Sequence, residues 1–439
     1  MITKEQILKQ VELYFKQEQQ TWVPGEWIPY SGPVYDDKEF SAAIKSLLSK
    51  WLIFGEIGRE FEIKFSPHLG KKFGVLTNSG SSANLLMWAA AKSPNGLNYQ
   101  PGTKIITPVV CFPTTINPII QMGFTPVFVD VDLPSLNLNL DQVEAACEND
   151  PEIRGITFAH VLGNPPDMDR LEQICKKYDL HFFEDSCDAL GSFYKGKPLG
   201  SFGIMSTCSF FPAHHMTMGE GGYVATDRGS LRKVITSLRD WGRDCYCNIA
   251  KPGCCMGDTA CGNRFQEWLS LPVEYDHRYV FSEIGYNLKP LDLQAAMGLE
   301  QLKKLPMLDS ARRANHKTLT KIFEKHSKHF MLTEATEGSD PCWFGFLVGV
   351  KEDAPFKKSD LVRFFEDSKV QTRSYFSGNI LYHPGYQHMA KGLDLDKLYP
   401  NAKRATTDFF FLGTFAGLME EQLSYIGTKL DEFMEKYNV

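Results

Sequence analysis

The chain has 439 residues, 43% of them hydrophobic and 23% charged, enough for one large α/β domain plus a smaller one. A net charge of −6 and the lack of any basic run argue against nucleic-acid binding. The longest apolar stretch, residues 343–350, is too short to span a bilayer, and the opening residues lack the apolar core of a signal peptide, so a cytoplasmic protein is expected.

In chain order, residues 1–20 alternate apolar and charged side chains at helical spacing and predict a helical arm within residues 1–40. Residues 81–92 read as a helix rich in small residues and Leu, entered from Thr77-Asn78-Ser79-Gly80. Short, β-rich runs follow at 104–110, 126–131, 155–160, 181–184 and 205–210, with amphipathic stretches at 140–148 and 168–178 between them. That alternation predicts a mainly parallel sheet flanked by helices. A second, smaller α/β unit is expected from residue 305: a helix at 311–329, a strand at 344–350, a helix at 358–367 and a C-terminal helix. The expected divisions are residues 1–40, 41–304 and 305–439.

The eleven cysteines are not spaced like the disulfide framework of a small secreted domain. Cys245, Cys247, Cys254, Cys255 and Cys261 crowd into one segment, which in a reducing compartment points to a metal or redox site.

Four segments carry the candidate site residues. Gly80, Ser81 and Ser82 stand at a helix start, where free N–H groups hold anions. Phe112 follows a predicted strand. Asp185 ends a strand, where ligands of parallel sheets gather, and Asp188 lies three residues on. Ser209 to Gly222 runs Ser-Phe-Phe-Pro-Ala-His-His-Met-Thr-Met-Gly-Glu-Gly-Gly, with His214 at its centre.

In order and spacing these segments resemble the sugar aminotransferases of the DegT/DnrJ/EryC1 group. The likeness extends to Gly285-Tyr286-Asn287 and Gln294-Ala295-Ala296. It implies the type I pyridoxal-phosphate fold, similar to aspartate aminotransferase: a large domain with a mainly parallel sheet and a smaller C-terminal α/β domain. In that group Gly80, Ser81, Ser82 and Ser209 would hold the phosphate, Phe112 would stack on the ring, and Asp185 would pair with the ring nitrogen. Asp188 stands where the group has Gln or His. Asn287 would reach the neighbouring subunit's phosphate, implying a homodimer with shared sites.

The group's Schiff-base lysine is replaced here by His214, which cannot form that bond but can move a proton near neutral pH. The sugar 3-dehydrases share this substitution, and this chain resembles the CDP-4-keto-6-deoxyglucose 3-dehydrase family over nearly its whole length. That family spaces four cluster cysteines as Cys, 57 residues, Cys, one, Cys, seven, Cys. Cys187, Cys245 and Cys247 reproduce the first two intervals. The fourth position is Cys255 by count, but Cys261 by context, since Cys261-Gly262-Asn263-Arg264-Phe265 resembles the family's Cys-Gly-Lys-Arg-Phe; Cys261 is preferred because loops lengthen readily.

The resemblance thus implies pyridoxamine 5′-phosphate (PMP), a 2Fe–2S cluster and an NADH-dependent flavin/iron–sulfur reductase as partner. The expected substrate is a nucleotide-linked 4-keto-6-deoxyhexose, CDP- or TDP-borne. Arg373, Asn379 and His383 fall where relatives gather substrate-facing residues, and His215 is an alternative base. Zinc at the thiols, a glutamate-driven dehydrase without a cluster and a non-catalytic sugar sensor remain as other readings.

Overall fold

A computed structural model describes residues 2–17, 21–244, 265 and 270–438. Its centre is a seven-stranded sheet in the order Phe73–Thr77, Gly222–Thr226, Met205–Ser209, His181–Asp185, Ile153–Ala159, Lys104–Pro108, Thr125–Val129. All neighbours are parallel except Gly222–Thr226, which runs against both of its partners.

Alternation along the strands explains the layering. Phe183 packs on one side with Leu86 and Trp88, from the helix Gly80–Lys92. Its neighbour Phe182 turns to the other side, with Leu171 and Ile174 from the helix Met168–Lys177. Both faces are therefore covered, as a parallel sheet requires. The five strands expected from sequence are all present with ends shifted by at most two residues; Lys104–Pro108, for instance, stops two residues early. Phe73–Thr77 and Gly222–Thr226 were not anticipated.

The reversed strand positions the site. Met205–Ser209 and Gly222–Thr226 form a hairpin whose register closes at Ser209 opposite Gly222, so residues 210–221 form a loop at the same edge as Asp185. A Cβ on Gly222 would lie 2.1 Å from the Ser79 carbonyl oxygen, so only glycine lets this strand abut the helix entry. Gly222→Ala is expected to cost about 1–3 kcal/mol by overpacking and to lower the calorimetric melting midpoint. An unchanged midpoint would mean that the helix entry shifts freely.

The smaller sheet is antiparallel: Phe330–Leu332, Gly345–Val350, Phe409–Gly413, Arg373–Ser374. It packs with Leu361 and Phe365 of the helix Lys358–Asp367 and with Leu430 and Phe433 of the C-terminal helix Glu420–Lys436. The helix expected at 311–329 is the second half of a 33-residue helix, Asp292–Glu324, that crosses the expected boundary at 304/305. Pro306 sits inside it, forgoing one backbone bond without ending it. No helix among the described residues is long and apolar enough to cross a membrane.

Candidate active site

A cavity of about 560 Å³ opens at the C-terminal ends of the parallel strands. Gly80, Ser81, Phe112, Asp185, Cys187, Asp188, Ser209 and His214 all line it, brought together from four separate stretches of chain. Ser82 does not. Its N–H donates to Ser79 Oγ at 3.1 Å, capping the helix Gly80–Lys92. The geometry of a helix start leaves the Gly80 and Ser81 N–H groups without intrahelical acceptors, beside Ser209. A Cβ on Gly80 would come within 2.5 Å of Ser209 Cβ, so this cradle depends on glycine.

Asp185 is 3% exposed and firmly oriented. Its Oδ2 accepts from Asn84 Nδ2 at 2.9 Å and from Thr115 Oγ1 at 2.8 Å; its Oδ1 accepts from the Cys187 N–H at 3.2 Å. Thr207 Oγ1 in turn donates to Asn84 Oδ1 at 2.6 Å, fixing the amide. Phe112, half exposed, caps the helix Pro113–Gln121 and meets Phe376 edge-on at 5.9 Å.

His214 Nδ1 lies 3.3 Å from Asp188 Oδ1, within charge-pairing range but outside good hydrogen-bond alignment. Burial pushes the Asp188 carboxyl up, and His214 and Arg312 pull it back. Asp188 Oδ2 is buried with no hydrogen-bond partner among the described residues. An unpaired acceptor, a glycine-dependent anion cradle and an oriented carboxylate suit a phosphorylated pyridine carrying a polar oxygen.

His215 faces elsewhere. Its Nε2–H donates to the Cys342 carbonyl at 2.7 Å, and burial together with Arg312 holds its pKa well below the usual histidine range. Arg373 lines the cavity with its guanidinium 4.0 Å from the Tyr30 ring centroid, and His383 also reaches the wall. Asn379 is fully buried and outside the wall; its Oδ1 accepts from the Leu381 N–H at 3.0 Å.

Asn287 is exposed, away from this cavity, and accepts from Lys289 Nζ at 2.7 Å. Of the expected cluster ligands only Cys187 is described. Its thiol lies in the cavity wall, in no disulfide among the described residues, and burial, then Asp185, pushes its pKa well up. Cys245, Cys247 and Cys261, like Cys254 and Cys255, lie outside the described residues.

Sequence reasoning missed Asn84, Thr115 and Phe344, whose ring lies 5.3 Å from the His214 ring. Asn84 was findable: it sits one turn after Gly80 on the sheet-facing side of a helix otherwise buried by Ala, Leu and Trp.

The model of the DegT/DnrJ/EryC1/StrS aminotransferase family matches residues 33–431, and the chain belongs to that family. It is 42% identical over 409 residues to the lipopolysaccharide biosynthesis protein RfbH of Salmonella typhimurium, covering 92% of this chain and 91% of that one. It is 41% identical over 438 residues to the dTDP-4-dehydro-2,6-dideoxy-D-glucose 3-dehydratase of Saccharopolyspora spinosa, covering 99% and 92%. Among solved structures it is similar to E. coli GDP-4-keto-6-deoxy-D-mannose-3-dehydratase with bound hydrated PLP, with a TM-score of 0.80, 28% identity and coverage of 92% and 100%. The fold is the type I pyridoxal-phosphate fold.

Proposed function

We propose that this chain is a sugar-nucleotide 3-dehydratase that removes the carbon-3 hydroxyl of a CDP-linked 4-keto-6-deoxyhexose in 3,6-dideoxysugar biosynthesis for lipopolysaccharide O-antigen. The observation that carries the reading is His214, set beside Asp188 in a cavity that also presents Asp185, Phe112 and the Gly80 cradle. A site with those features but no lysine at this position fits non-covalent PMP. Two relatives named as 3-dehydratases and one named for lipopolysaccharide biosynthesis support the same reading.

Bound PMP would supply an amine for the 4-keto group and a ring that can accept an electron pair. Gly80, Ser81 and Ser209 hold its phosphate, Phe112 covers one ring face, and Asp185 keeps the ring nitrogen protonated. His214 would take a proton from C4′ to allow loss of the carbon-3 hydroxyl, and the unpaired oxygen of Asp188 would accept from the ring hydroxyl. Asn287 serves the phosphate of a second copy, which makes the working form a homodimer. Cys187, Cys245, Cys247 and Cys261 hold a 2Fe–2S cluster, fed by an NADH-dependent flavin/iron–sulfur reductase in the cytoplasm.

An anaerobic, iron-replete preparation tests the cluster. It is expected to hold about two irons and two sulfides per chain and to give a paramagnetic signal on dithionite reduction. That signal should be lost in Cys187→Ser, Cys245→Ser and Cys247→Ser. Comparing Cys261→Ser with Cys255→Ser identifies the fourth ligand. Iron-free protein that still dehydrates with glutamate would replace this reading with a cluster-free dehydratase, and cofactor-free protein would replace it with a sugar sensor. A higher kcat/KM for the TDP-linked sugar would move the substrate to that nucleotide.

A further inference from the structure

The loop that carries His214 is held from behind by one helix. Gln301 and Arg312 both belong to the buried stripe of Asp292–Glu324, and eleven residues, about three turns, put them on one face. Gln301 Oε1 accepts from the Thr217 N–H at 3.2 Å at one end of the loop. At the other end Arg312 Nη2 donates to the His214 carbonyl at 2.9 Å and to the Ala213 carbonyl at 3.3 Å, while Nη1 donates to the Phe344 carbonyl at 3.2 Å.

Arg312 is 2% exposed, and among the described residues no carboxylate lies within ion-pairing distance of it. Asp309, nearly one turn earlier on the same helix, accepts instead from the Cys342 thiol at 3.4 Å. Burying a guanidinium on neutral carbonyls alone is unfavourable, and leucine in its place would avoid the desolvation. The acceptors share one property. They belong to His214, to the residue before it and to Phe344, whose ring the imidazole leans on at 5.3 Å. A planar fork of donors is suited to fixing several acceptors at once.

We infer that Arg312 is the positioning residue of this site: by fastening these three carbonyls it sets where the His214 imidazole stands in the cavity. The inference rests on the proposed role of His214 as the base. Arg312 is not part of the cavity wall and would act only through the loop.

Arg312→Met is expected to lower kcat roughly 100-fold through misplacement of the base, with KM and the PMP dissociation constant within about threefold. Arg312→Lys, which keeps the charge and some donors, is expected to recover roughly tenfold of that loss. A second readout needs no turnover. In the His214→Lys protein the new amine bonds covalently to pyridoxal phosphate, and adding Arg312→Met is expected to slow that bonding, followed by absorbance, to a similar degree.

Turnover and bonding both within threefold of their parents would overturn the inference. So would a parallel collapse of melting midpoint and cofactor affinity in both Arg312 variants, which marks a purely structural role. If Arg312→Met slows bonding but His214→Gln leaves dehydration intact, the proposed base is wrong while Arg312 still positions the loop.

Discussion

His214→Gln is expected to lower the dehydration rate by roughly 10²–10⁴-fold, the usual worth of a positioned acid–base group, while PMP binds about as tightly as before. Glutamine keeps much of the volume and hydrogen-bonding capacity of histidine but cannot carry a proton between C4′ and solvent. In the proposed site phosphate and ring nitrogen would be held by other elements, the Gly80 turn and Asp185, so the change should separate chemistry from binding. The measurement is consumption of the CDP-linked 4-keto sugar with PMP and reductant present, beside a cofactor titration. Retained turnover in His214→Gln together with loss in His215→Gln would transfer the role to the neighbour. The geometry opposes that outcome, because His215 spends its Nε2–H on the Cys342 carbonyl. His214→Lys extends the test: the lysine should bond to pyridoxal phosphate, giving a visible band and a borohydride-trapped mass on the peptide containing residue 214. Without that adduct, His214 does not occupy the lysine position.

What the sequence made legible was local. Strand runs such as His181–Asp185 and the helix Lys358–Asp367 stand out because apolar period and turn residues act over a few positions. Gly80, Asp185, Ser209 and His214 were findable because each belongs to a short motif tied to its own turn. The strand Gly222–Thr226 was hidden, since its preceding glycines read as loop and only the approach to Ser79 reveals why position 222 must be glycine. Arg312 was hidden differently. It sits in a helix stripe between Leu308 and Asn315, and its acceptors are backbone carbonyls 98 and 99 positions earlier and 32 positions later, which carry no side-chain signature. The continuity of Asp292–Glu324 also escaped, because an internal proline reads as a breaker when tertiary packing is out of view.

Asp185→Asn is expected to lower cofactor affinity and dehydration by roughly 150- to 4,000-fold in all if removing one partner of a buried charge pair costs its usual 3–5 kcal/mol. The surrounding donors make this substitution more informative than the loss of charge alone. Asn84 Nδ2 donates to Asp185 Oδ2, and Thr207 locks Asn84 in that orientation, so the new amide must keep its oxygen there. Its NH2 group then takes the place of Oδ1, facing the Cys187 N–H and the cavity. Two donors meet on that side, and toward the cavity the amide can only donate. A ring nitrogen opposite it must accept and therefore lose its proton, and with it the ability of the ring to draw electrons from C4′. Thr115→Val, which removes one of the donors to Oδ2 while leaving the carboxylate, should cost far less. Asp185→Asn protein that binds PMP and turns over within tenfold of the parent would remove Asp185 from the mechanism, and equal losses in Asp185→Asn and Thr115→Val would mean that local packing, not charge at the ring, sets the rate.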